Sequence, residues 1–283
     1  MGAQASRLQI NYQLTVFEMK WSYILFFPAA VSVFCALFTV LLKKQLIRYQ
    51  LLQSLTFLLE GAAMIVLAIF FRGRAGSLFI YDFLFETLSL LCAPMYYIGI
   101  CSLTEPRGAT LHQRRVFSIP LLFTLGLTIG AFVLGPRRYE ILCYAIREGD
   151  VTFIPGDSAW NFMLFWDHWL YPAVFLILSC ILVVMSSRKT ILYQRRFNSY
   201  YAENLNAPKI DTRWVTVLSW IFLPLALIAI LTVDFRPPYF KYILIAVAVL
   251  FAIVQYLSGR FCYHMDYDAR YLADLVKQRI NKQ

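Results

Sequence analysis

The sequence predicts an all-α polytopic membrane protein: a bundle of seven transmembrane helices, N-terminus outside and C-terminus cytoplasmic. Three observations carry this. Hydrophobic residues make up 60% of the 283 and charged residues only 15%, against about 25% charged in an average soluble domain. Seven apolar runs each hold roughly the 20 residues a helix needs to cross about 30 Å of hydrocarbon. Lys and Arg gather in alternate connections between those runs. The runs are continuous and do not alternate apolar with polar, which excludes a β-barrel.

Span 1, about 21–42, opens on Trp21 and follows a mixed polar segment with no cleavable signal, so it serves as its own insertion signal. The first residues fit a myristoylation pattern around Gly2, a chance match for an end placed outside the cytoplasm. Span 2, about 51–71, carries Glu60 near its middle. Span 3, about 84–104, is interrupted by Pro94. Span 4, about 116–135, contains the GxxxG pair Gly126 and Gly130. Span 5 covers about 163–186, span 6 about 214–233 and span 7 about 239–258. Trp21, Trp160 and Trp214 fall at the predicted interfaces, where amphipathic rings settle. Pro28, Pro94, Pro120, Pro172 and Pro224 lie within five spans, and each removes a backbone donor. No internal repeat is visible, so the inverted-repeat plan of many transporters is not supported.

Charge orients the bundle. The connections 43–50, 105–115 and 187–213 and the tail from 259 hold 17 Lys/Arg, and the opposite set holds nine. The first set is then cytoplasmic, and the net charge of +10 is that of a membrane protein's inner loops rather than a nucleic-acid surface. The connection 187–213 is the most basic, with Arg188, Lys189, Arg195, Arg196, Lys209 and Arg213. It continues span 5 as a helix to about Asn204, and Pro208 breaks it. The tail 259–283 places Tyr267, Tyr271, Leu272, Leu275, Val276 and Ile280 at helical spacing, with Asp266, Asp268 and Asp274 ahead of Lys277, Arg279 and Lys282. It reads as a short amphipathic helix, and the alternative is a solvated end.

Chemistry-bearing residues are sparse. Four of the six cysteines lie within spans, no CxxC occurs, and His112, His168 and His264 fall in separate segments, so neither a metal site nor a cofactor is expected. There is no HExxH, GxSxG, P-loop or GxGxxG, and the chain is read as non-enzymatic. A lipid-acting membrane enzyme, centred on Asp167 and His168, lacks a motif. A retinal-type receptor needs a lysine deep in span 7, whereas Lys241 stands only about one turn in.

Ionisable groups inside a membrane are functional candidates by default. Glu60 is the deepest, either a carboxyl hydrogen-bonded to a neighbouring helix or a ligand or ion site. Asp82 and Glu86 sit one turn apart at the outer end of span 3; Asp167 and His168 sit near the outer end of span 5, between Trp166 and Trp169; Asp234, Arg236 and Lys241 crowd the outer turn between spans 6 and 7. They are either interfacial charges reaching water or an outward-facing small-molecule pocket, for which Glu86, Asp167, His168 and Trp169 are the chosen residues. Gly126 and Gly130 mark either a homodimer face or packing within one bundle. Arg195 and Arg196 beside Tyr200 and Tyr201 suit anionic lipid headgroups or a cytoplasmic partner.

Two stretches together carry a family resemblance: span 3 with its exit, LFETLSLLCAPMYYIGICSLTEP and HQRRVFSIPLLF, and RRFNSYYAENLNAPKIDTRWV at 195–215. The combination resembles the N-terminal membrane region of bacterial AraC-type transcription regulators, in which a helix-turn-helix DNA-binding domain follows about seven membrane helices. The resemblance covers roughly 20–258. The 25 residues from 259 cannot hold that domain, so direct nucleic-acid contact is not carried onto this chain. The resemblance implies a sensory module of the bacterial inner membrane, with Arg195, Arg196, Tyr200 and Glu203 as the inner relay. The alternative reading is a transporter or permease subunit using Glu60 as an intramembrane ion or proton site, a reading lowered by the lack of an obvious midplane partner.

Overall fold

A computed structural model describes residues 22–42, 47–72, 78–105, 109–148, 157–200, 212–235 and 239–264. The described residues are overwhelmingly α-helical and contain no strand. A 3-10 turn, Ser22–Leu25, leads into α1 (Phe26–Leu42). Then come α2 (Arg48–Arg72), α3 (Leu78–Thr104), α4 (Ser118–Leu134), α5 (Pro136–Glu148), α6 (Ser158–Phe165), α7 (Tyr171–Tyr200), α8 (Arg213–Phe235) and α9 (Phe240–His264). Seven helical stretches are long and apolar enough to cross a membrane, among them Leu111–Leu134 and the joined Ser158–Ser199. They match the seven expected runs in order. The tail from 265, Glu203 and the outer-turn Arg236 lie outside the described residues, so the expected amphipathic tail helix does too.

The helices are not equivalent. α1, α2, α3, α7, α8 and α9 pack successively, and α9 returns to α1, closing a six-helix ring. α4 stands outside it, with Leu121, Leu122, Leu125, Ile129, Phe132 and Val133 exposed along one side. In a membrane that side faces lipid, where exposed apolar residues carry no penalty. Its opposite side packs on α6. A side chain at Gly126 would overlap the Trp166 ring, and one at Gly130 would come within 2.5 Å of Met163 Sδ. The GxxxG face is therefore occupied within the chain. Of the two expectations for Gly126 and Gly130, the structure shows packing within one bundle.

Two local features shape the end of the bundle that holds α5. α4 ends at Gly135, whose φ of 85° is open to glycine and strained for other residues. Pro136 follows at the first position of α5, where its missing N–H costs nothing. The 136–162 connection thus contains a helix that hydrophobic run length could not reveal, since α5 alternates buried Tyr139, Leu142, Cys143 and Ile146 with exposed Arg137 and Arg138. The second feature is a π-helical turn, Trp166–Leu170, joining α6 to α7. Pro172 follows it; lacking an N–H and crowding the carbonyl four residues back, it favours the wider turn. Asp167, on this turn, is buried in the bundle.

Candidate functional site

The ring encloses a cavity of about 80 Å³ walled by α2, α3, α7, α8 and α9. Its polar centre comes from residues on three helices. Glu60, at 8% exposure, accepts a hydrogen bond from Gln255 Nε2 of α9 at 3.1 Å. Gln53 lies two turns before Glu60 on the same face of α2. Gln53 Oε1 and Gln255 Oε1 are buried and have no partner among the described residues. Ser89, Cys92 and Tyr96 of α3 line the opposite wall at helical spacing, and Phe57, Phe175, Phe222 and Phe261 supply aromatic faces. A void this size has room for several waters, and its polar groups would hold them. Glu60 is thus placed as expected, deep within the span. The expectation that it has no midplane partner is corrected: Gln255 meets it from a helix 195 positions away.

A second void, about 20 Å³, lies toward the α5 end. Asp82, Glu86 and Asp167 line it, with Phe85, Ile146 and Tyr171. Glu86 and Asp167 thus face the same small void, from α3 and the π turn. Tyr139 OH donates to Asp82 Oδ2 at 2.9 Å, and Cys143 Sγ lies 3.7 Å from the same oxygen. Burial, and then the carboxyl of Asp82, push the Tyr139 phenol well above its ordinary value. Burial and the carboxyls of Asp82, Asp167, Glu140 and Glu86 do the same to the Cys143 thiol. Glu140 receives the backbone N–H groups of Leu78 and Phe79, each at 3.1 Å. It caps the open N-terminus of α3, where a negative group is favoured.

The outer site expected from sequence is therefore brought together in part. Glu86 and Asp167 meet, joined by Asp82. His168 is half-buried beside them in sequence, on the π turn. Trp169 is 60% exposed; two residues beyond Asp167, it leaves the helix on the side away from that carboxyl.

The two voids are linked. Ser89 lines the central cavity and Tyr171 lines the smaller void. Ser89 Oγ and Tyr171 Oη lie 2.7 Å apart, and Ser89 Oγ donates to the Glu86 carbonyl at 2.9 Å. This hydroxyl pair joins a wall residue of the central cavity to a wall residue of the void that holds the carboxyl cluster.

At its other end the cavity meets a chain of polar contacts. Tyr96 Oη bonds Ser219 Oγ and donates to the Val215 carbonyl at 3.3 Å. Thr216 and Thr190 hydroxyls pair at 3.0 Å, joining α8 to α7. Thr212 N and Thr212 Oγ1 both donate to Gln194 Oε1 at 2.8 Å. Trp220 Nε1 donates to Ser187 Oγ at 3.0 Å. Lys189 of α7 pairs with Glu105 at the end of α3, and Gln113 Nε2 donates to the same Glu105 oxygen at 2.8 Å. Thr110 and Gln113 form a reciprocal capping box that fixes this connection.

Of the relay residues expected from sequence, Arg195 and Arg196 are exposed on α7. The side chain of Tyr200, like Glu203, is outside what the structure describes. The residues that join the helices here are Lys189, Thr190, Gln194, Thr212 and Thr216. Their sequence signal was a set of small polar residues clustered at both borders of the basic loop. No protein-family model, curated protein or solved structure matches this chain.

Proposed function

We propose that the chain is a non-enzymatic membrane sensor in which occupancy of the central cavity changes how α7 and α8 meet at the base of the 187–213 loop. One observation carries the reading: Tyr96 lines the cavity and is bonded directly to the first turns of α8, which Thr190, Gln194 and Thr212 fasten to α7. A ligand can shift this arrangement only if it binds its two states unequally, and Tyr96 gives it a contact through which to do so. The excess of Lys and Arg on the loop side supports an orientation with that end in the cytoplasm. The motifs quoted above support a bacterial inner membrane and the role of input region for a transcription regulator.

A second reading is favoured by the Ser89–Tyr171 link. It connects the carboxyl cluster to the Glu60 cavity and sketches part of a pathway for protons or cations, as a transporter would need. Spin labels at the exposed positions Arg195 and Trp214 separate the two. In the sensor, filling the cavity with Ala226→Trp shifts the distance distribution between the labels; an unchanged distribution removes this reading. In the transporter, proteoliposomes carrying the wild-type chain dissipate an imposed proton or cation gradient, and Glu60→Gln abolishes the flux.

A further inference from the structure

We propose that the central cavity is a binding site for a small protonated primary amine, its ammonium held by Glu60 and the side-chain oxygen of Gln255, with Gln53 a second polar group two turns along the same wall. The proposal rests on the sensor reading only in taking this cavity as the place where the stimulus acts.

The first argument is a surplus of acceptors. Glu60 can accept several hydrogen bonds, and one donor, Gln255 Nε2, is in place. Donating that N–H to Glu60 fixes the amide so that Gln255 Oε1 is left over. Gln53 at 4% exposure and Gln255 at 1% each keep an unpartnered oxygen. Buried acceptors without donors cost free energy, and an ammonium group carries three donors and no acceptor.

The second argument is sign. No Lys, Arg or His lines either void, whereas Glu60 lines one and Asp82, Glu86 and Asp167 line the other. A cation arriving from the α5 end would meet the three carboxyl groups first, then the Ser89–Tyr171 pair, then Glu60. An anion would meet no cationic side chain along that route.

The third argument selects an organic cation over a metal ion. Hard cations demand six or more oxygen ligands, and the walls here are mainly aromatic and aliphatic, among them Phe57, Phe175 and Phe222. An alkylammonium places its charge on the oxygens and its carbon chain against these rings, and aromatic faces also attract cations directly.

The test uses the full chain in lipid nanodiscs at neutral pH, where an alkylamine is protonated. Calorimetric titration with n-butylammonium chloride is compared with sodium chloride at equal ionic strength and with n-butanol at equal concentration. Saturable binding of butylammonium at one site, with neither control binding there, is the expected result. Glu60→Gln weakens it by roughly 30-fold or more, and Gln255→Leu by about tenfold. Equal binding of butanol would overturn the proposal by showing that only the apolar walls matter; binding of sodium alone would overturn it in favour of an inorganic cation. The wild-type comparison needs no variant, so the result stands even if Glu60→Gln does not fold. Butylammonium that binds without moving the Arg195 and Trp214 labels keeps the amine site and removes the sensor reading. Labels that move on Ala226→Trp in a protein indifferent to butylammonium do the reverse.

Discussion

Gln255 Nε2 donates to Glu60 Oε2 at 3.1 Å, fastening α9 to α2 at the middle of the ring. Both side chains are buried. Replacing Gln255 by Leu removes the donor and leaves a buried carboxyl with less compensation, which costs about 1–3 kcal/mol. Replacing both residues by Leu removes the need for the bond, and most of that loss returns. Thermal unfolding of the two single variants and the double variant measures the coupling. Losses that simply add would show that the bond contributes nothing beyond its separate ends.

Gly126 is held to glycine by the Trp166 ring of its own chain. Gly126→Ala forces the Trp166 ring out of its contacts with Phe123 and Phe162, at 4.9 and 5.5 Å between centroids. Overpacking of this kind costs about 1–3 kcal/mol. Trp166→Leu in the same chain opens the space and recovers part of it. The oligomeric state, read by light scattering in detergent, is the same for wild type and Gly126→Ala. A change of state with no loss of stability would return this face to an intermolecular role.

The seven spans were legible because each is set by a local quantity, the length of an apolar run. Glu60 was legible for the same reason, as one carboxyl in such a run. Gln53 could have been found with it, since a spacing of seven puts both on one helix face. The partnership with Gln255 could not, because no local pattern states that α9 closes the ring against α1 and α2. α5 escaped because it is short and carries charge on one face, so run length passes over it. Adjacency in sequence does not bring Trp169 to Asp167, because residues two apart on a helix lie on opposite sides.

Cys143 and Tyr139 make the α5 end sensitive to alkali. The thiol has an ordinary value of 9.0 and is pushed well above it in the folded chain by burial and by the carboxyl groups around it. A raised value means that the unfolded chain releases its proton first. The stabilisation is therefore complete below about pH 9 and declines as pH rises toward the folded value. The Tyr139 phenol, ordinarily at 10.0 and raised in the same way, adds a second decline above about pH 10. Stability measured from pH 7 to pH 11 falls in the wild type, and Cys143→Ala flattens the first part of the fall. An unchanged slope in that variant would assign the alkaline loss elsewhere.

Gln194 is the residue on which the α7–α8 junction turns. Its side-chain oxygen receives both the backbone N–H and the hydroxyl of Thr212, each at 2.8 Å, immediately before α8 begins. Leu at this position fills similar space without an acceptor, so the first amides of α8 lose a fixed point while the apolar body of the helix stays packed on α9. The expected effect is local: amide hydrogen exchange speeds up at residues 212–216, and the exchange of α2 and α3 is unaltered. Thr212→Val, which keeps the N–H and deletes the hydroxyl, gives a smaller acceleration at the same amides. If Gln194→Leu instead loosens the whole bundle, the junction is part of the global core, and the cavity at Tyr96 has no separate element on which to act.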